Sequence, residues 1–145
     1  MDSLVLATSA AAVAQAARAA RDASGVLDEL LVGAKFRDDS LRLEVKRFLE
    51  DTDVLQSHLV VAEGSQNGGS EEQQALHSKL QDAMALSADT FDQFTIHARD
   101  AGKAKSSIFR QSRKLSGRDE MVIRVKQRIP VHTMMVQLLS ANFHV

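Results

Sequence analysis

Apolar residues return in alternating steps of three and four along four separate segments of this chain. That spacing gathers one stripe on one side of an α-helix, and four such stripes must be buried against one another. The second segment is the cleanest, with Leu41, Val45, Phe48, Thr52, Leu55 and Leu59. Ser40 or Asp39 is its expected N-cap, and Lys46–Glu50 and Arg47–Asp51 are expected pairs on its wet side. The first segment carries Leu6, Ala10, Val13, Ala17, Ala20, Ser24, Leu27 and Leu31, with Gly33 as its stop. The third carries Leu76, Leu80, Ala83, Ser87, Phe91, Phe94 and Ala98, with room for a bend at Leu86 to Ala88. Ser70 and Gln73 form a capping-box pattern in front of it. The fourth carries Val122, Val125, Ile129, His132, Val136, Leu139 and Phe143, with Asp119 as cap. Pro130 interrupts this last stripe without shifting its phase, which predicts a kink near Lys126 to Ile129.

The expected fold is all-α, an antiparallel four-helix bundle in a single domain over residues 1–145. Helices are expected at about 3–32, 41–62, 71–101 and 119–143, with space for a short extra helix in the 103–118 connection. Because the last stripe residue falls almost at the end, the chain reads as the N-terminal part of a longer protein.

The opening stretch "LVLATSAAAVAQAA", Leu4 to Ala17, holds no charge in fourteen residues. No Lys or Arg precedes it, unlike a secretion signal. As a helix it covers roughly 21 Å, short of a membrane core. One long bundle helix is the remaining reading. Its face of Leu6, Ala10, Val13, Ala17 and Ala20 is a candidate helix-association or membrane face, expected to be buried at rest.

Composition narrows the chemistry. The chain has 145 residues, a net charge of −1 and no cysteine. Disulfides, thiolate zinc sites and cysteine nucleophiles are therefore excluded, as suits an intracellular protein. No two of the five histidines stand three or four residues apart. "RDDS" and "EDTD" lack the alternating ligands and central glycine of a calcium loop. "EGSQNGGS" follows no strand and lacks the Lys-Ser/Thr of a phosphate loop, so it reads as a flexible connection. No catalytic residue, cofactor or metal site is expected, and the chain does not read as an enzyme. His132, on an apolar stripe, is expected to be buried and bonded to a neighbour, with His58 and His77 on wet faces.

One basic segment stands out: Lys103, Lys105, Arg110, Arg113, Lys114 and Arg118, with no acid between them. It is read either as a solvated connection or as an anionic-lipid or acidic-partner patch helped by Ile108 and Phe109. Nucleic acid is not expected as a partner, given the acidic remainder of the chain.

The order of "LRLEVKRFLEDTDVLQSHL", "LQDAMALSADTFDQF", "AKSSIFR" and "VIRVKQRIPVHTMMVQLLSANF" behind an alanine-rich helix resembles the N-terminal helical, HeLo-like domains of fungal STAND and NLR-like proteins. The resemblance spans nearly the whole chain and rests on diffuse heptad patterns. It implies a cytoplasmic bundle, recruited in some members to membranes, that oligomerises when a nucleotide-binding or prion-like module activates it. Programmed cell death and innate immunity are the implied setting. The implied insertion segment falls on Leu4 to Ala20, but this stretch has no glycine zipper and meets Arg18 early, which moves the expectation toward a regulatory or adaptor role.

The leading functional expectation is thus a protein-interaction domain of cell-death or incompatibility signalling. It would act by helix–helix association with itself or with a nucleotide-binding receptor module. The alternatives are a membrane-permeabilising executioner using the first helix, and a regulatory bundle of a trafficking or membrane-fusion protein.

Overall fold

The computed structural model describes residues 3–33, 35–63, 71–103, 116 and 118–143. Four helices account for nearly all of them: α1 (Ser3–Val32), α2 (Asp39–Glu63), α3 (Glu71–Lys103) and α4 (Glu120–Phe143). No strand occurs among the described residues, and the protein is an all-α four-helix bundle. The glycine-rich connection at 64–70, with Ser70 of the capping box, lies outside the described residues. So does any extra helix between 104 and 115.

Local chemistry sets the helix ends. α1 stops where expected, with the Gly33 amide still donating to the Glu29 carbonyl at 3.0 Å. The cap of α2 is neither Ser40 nor Asp39 but Asp38, whose Oδ1 accepts from the Leu41 amide at 3.0 Å. Its other oxygen meets Lys126 Nζ at 2.9 Å, and that tie to α4 favours Asp38 over its neighbours. Asp119 caps α4 as expected, accepting from the Met121 amide at 2.8 Å. Each of these two caps also joins a second helix, because Asp119 Oδ2 lies 2.8 Å from His97 Nε2 on α3. α3 runs unbroken past Leu86 to Ala88, and α4 runs unbroken through Pro130, which faces solvent.

Cross-helix contacts reveal the topology. Arg42 at the start of α2 meets Asp28 near the end of α1 at 2.7 Å, so this pair is antiparallel. His77 near the start of α3 packs on Phe143 at the end of α4, and His97 near the end of α3 meets Asp119, so this pair is antiparallel too. Ser9 near the start of α1 meets His77 near the start of α3, and Lys126 meets Asp38, so α1 and α3, like α2 and α4, run parallel. Chain direction thus reverses at every connection, but α2 and α3 stand across the diagonal of the bundle. α1 makes its broadest contact with α3.

That arrangement follows from side-chain size. Ala16, Ala20 and Ala23 are fully buried along α1, and small residues let two helix backbones approach closely. The diagonal is filled by bulk: Phe48 of α2 and Phe91 of α3 meet at 4.9 Å between ring centroids, tilted by 56°. A tilted aromatic pair of this kind adds about 1 kcal/mol beyond its buried area. The stripes of α2 and α4 are buried at every position expected of them. Along α1 the buried row is instead Leu6, Ser9, Val13, Ala16, Ala20, Ala23, Leu27 and Leu30. Ala10, Ser24 and Leu31 are only half-buried. The expected members Ala10, Ser24 and Leu31 are therefore displaced by one residue, whereas Ala17 is buried beside Ala16.

Candidate functional site

Charge is distributed unevenly along the bundle. The ion pairs that join described side chains, Arg37–Asp39, Arg42–Asp28, Arg42–Asp39, His97–Asp119 and Lys126–Asp38, gather where α1 and α3 end and α2 and α4 begin. The opposite end is built from two segments without Asp, Glu, Lys or Arg, Leu4 to Ala17 of α1 and Ile129 to Phe143 of α4. Exposed large apolar side chains occur on all four helices, and on the second half of α4 they form a row. Val131, Met134 and Leu138 recur at steps of three and four on its outer side, each more than half exposed. Beside this ridge lies a groove between α3 and α4. Leu76, Ala83 and Leu86 form one wall, Met135, Leu138 and Leu139 the other, and Lys79 and Asp82 lie on the α3 side. α4 therefore carries two apolar stripes, one turned into the core and one left to solvent. A single stripe suffices for a bundle helix, so the second is not needed for packing within the bundle.

The candidate face on α1 is placed differently. Leu6, Val13, Ala17 and Ala20 are buried and Ala10 is half-buried, all packed within the bundle. In this state α1 offers no association surface there. Of the basic segment, Lys105, Arg110, Arg113 and Lys114 lie outside the described residues, Lys103 closes α3, and Arg118 is exposed beside the α4 cap.

Histidines supply most of the polar links between helices. His132 is buried as expected, with Nε2 at 2.9 Å from Thr90 Oγ1. The Thr90 hydroxyl donates to the Leu86 carbonyl at 3.0 Å, so it accepts from His132 Nε2–H, and Nδ1 is left buried without a partner. The expectation of wet faces fails for the other two. His58 is half-buried, its Nδ1 donating to the Ser140 carbonyl at 3.0 Å. His77 is only 2 % exposed. Its Nδ1 lies 2.7 Å from Ser9 Oγ, which accepts from Gln81 Nε2 at 3.1 Å. Burial lowers the pKa of His77 below the usual histidine value. Burial, with a smaller contribution from Arg128, does the same for His132. The Ser9–His77 pair has a hydrolase-like distance, but Ser9 is fully buried and no carboxylate among the described residues orients the ring, so the pair reads as a tie between two helices.

The sequence does contain the signal for His77. His77, Leu80, Met84, Ser87, Phe91, Phe94 and Ala98 are themselves spaced by three and four. Starting the stripe at Leu76 hides this, because Leu76 and His77 are adjacent and the apolar one is the natural first choice. Leu76 instead lines the groove. The groove itself has no signal in one helix alone, since its walls come from two.

Among the described residues no group of three His, Asp or Glu could hold a metal ion. No described helix is long and apolar enough to cross a membrane. No family model matches the chain, and no curated protein or solved structure does either.

Proposed function

We propose that this chain is a helical protein-interaction domain that acts by helix–helix association, and that a second copy of itself occupies the α3–α4 groove. The observation that carries this reading is the exposed Val131–Met134–Leu138 ridge lying beside the groove. One copy presents both a ridge and a groove on the same face. Two copies related by a two-fold axis then seat each ridge in the other's groove, as a self-complementary interface requires. Lys79 and Asp82 carry opposite charges at that groove, and the proposed pairing sets Lys79 of each copy against Asp82 of the other. The heptad resemblance to HeLo-like domains supports a role in cell-death or incompatibility signalling, with a nucleotide-binding receptor module as the source of activation.

Sedimentation equilibrium over a wide concentration range tests the association. We expect a reversible dimer that Leu138→Glu converts to a monomer while leaving the helical content and unfolding midpoint nearly unchanged, because Leu138 is 60 % exposed. A chain that stays monomeric at every concentration overturns self-association, even if it binds a receptor module. Leakage of anionic vesicles by the monomeric Leu138→Glu protein overturns it in favour of a membrane-permeabilising executioner.

A further inference from the structure

His77 is buried at the end of the bundle where α1 and α4 carry no Asp, Glu, Lys or Arg. α1 packs on it through Ser9, within Leu4 to Ala17, where no residue is charged. α4 packs on it through the Phe143 ring at 4.9 Å, and Ile129 to Phe143 hold no Asp, Glu, Lys or Arg. On α3 itself, the nearby charged residues Glu71, Glu72, Lys79 and Asp82 are all exposed. α2 brings the half-buried His58 to this end, already bonded to Ser140, and the exposed Asp53 further back. None of these elements places a carboxylate against the imidazole.

The hydrogen bonds of His77 bring it a hydroxyl and no charged partner. Gln81 donates to Ser9 Oγ, which leaves the Ser9 hydrogen free to be given to His77 Nδ1. A proton added at Nδ1 meets that hydrogen head on. The Ser9 hydroxyl must then turn so that its oxygen accepts from Nδ1–H and its own hydrogen loses its partner, and an imidazolium is left buried with no counter-charge. The cheaper outcome is for the ring to reach water. α1 is the element whose displacement uncovers the Nδ1 side of the ring. The buried side chains of its near half are mostly small, Ser9, Ala16 and Ala17 beside Leu6 and Val13, and the Ser9 pair is a polar tie to α3.

We propose that the Ser9–His77 contact is an acid-sensitive latch, and that proton uptake by His77 releases the N-terminal half of α1 from α3. The latch acts at the parallel α1–α3 seam and does not depend on the groove between α3 and α4.

The chain has no cysteine, so spin labels can be placed at Ala11→Cys and Ser78→Cys, both exposed. Their separation is read by electron paramagnetic resonance from about pH 7.5 to about pH 5, the range across which histidines titrate. The expected result is a lengthened and broadened distribution at the lower pH, by about the 8–10 Å between packed helix axes, reversed on return to neutral pH. His77→Asn keeps an acceptor for Ser9 without a titrating ring and is expected to hold the neutral distance throughout. His132→Gln, which removes the other buried ring, is expected to keep the full response. A distance that does not change with pH overturns the latch, as does a response that survives His77→Asn or vanishes in His132→Gln. If His77→Asn does not fold, imidazole resonances of the unsubstituted protein decide. Opening with His77 still neutral, or His77 charging with α1 still docked, overturns it equally.

Discussion

Two buried histidines make acid the natural stress on this protein. Their pKa values are lowered in the fold, so the unfolded chain binds more protons than the native one below a histidine's ordinary value of about 6.5. Stability from this source is complete above that value and is lost as pH falls through the lowered native values. Urea midpoints are therefore expected to be flat above about pH 7 and to decline steadily below about 6.5. His132→Gln, which keeps a donor for Thr90, should make that decline shallower. A second window lies lower. Burial works against the charges of Asp38 and Asp119, but hydrogen bonds from Lys126 to the first and from His97 to the second, with amide bonds to both, outweigh it and lower each pKa. Their contribution is present above the ordinary carboxylate value of about 3.9 and disappears as pH falls through the lowered one. Asp119→Ala removes a cap and a tie to α3 together. It should cost about 1–2 kcal/mol in urea denaturation at neutral pH, whereas Asp119→Asn, keeping one acceptor for the Met121 amide, should cost less.

Each helix shows how composition limits what its pattern can decide. α2 alternates large apolar residues with charged ones, so only one face can be buried, and that face is the one its spacing predicts. Its expected Lys46–Glu50 and Arg47–Asp51 pairs do not form. Asp51 accepts instead from Gln137 of α4 at 2.9 Å, a choice open only once α4 lies alongside. α1 is different, because alanines occur on all its sides and several registers bury nearly the same area. Contact with α3 selects the Ser9–Ala16–Ala23–Leu30 register. Close approach there makes Ala20→Leu an overpacking change, expected to lower stability by about 1–3 kcal/mol in thermal or urea unfolding. On α4, Pro130 lies on the exposed side of a helix that continues past it, so the Lys126 carbonyl has no intrahelical donor. Pro130→Ala supplies that donor without disturbing the core. It should raise stability, by up to about 3 kcal/mol in the same measurement.

Packed together, the helices separate an end crossed by ion pairs from an end where α1 and α4 carry no Asp, Glu, Lys or Arg. The arginine pairs are exposed and worth little individually, while Asp38 and Asp119 are largely buried, and together they mark which end is finished with charge. The other end keeps an apolar ridge and groove exposed, and the proposed dimer covers both. Its rim charges offer a direct check. Lys79→Asp or Asp82→Lys alone places like charges across the two-fold axis and should weaken dimerisation by roughly three- to tenfold. The doubly substituted chain restores opposite charges and should recover it. Sedimentation of the three variants at low and high salt reads the result, and a double variant no better than the singles argues against this geometry.

The four helices, the buried faces of α2 and α4, and the caps at Gly33 and Asp119 were legible from residue order alone, because each depends on neighbours within one turn of the chain. Helix spacing is a local property, and heptad steps report it whatever the partner. The pairing of α1 with α3, the diagonal placement of α2 and α3, and the choice of Asp38 as a cap depend on residues far apart in the chain. So do the burial of His77 and the groove between α3 and α4. Two adjacent residues such as Leu76 and His77 can both continue a stripe, and only the position of the next helix determines which one enters the core. Tertiary packing took the histidine, and left the leucine at the groove.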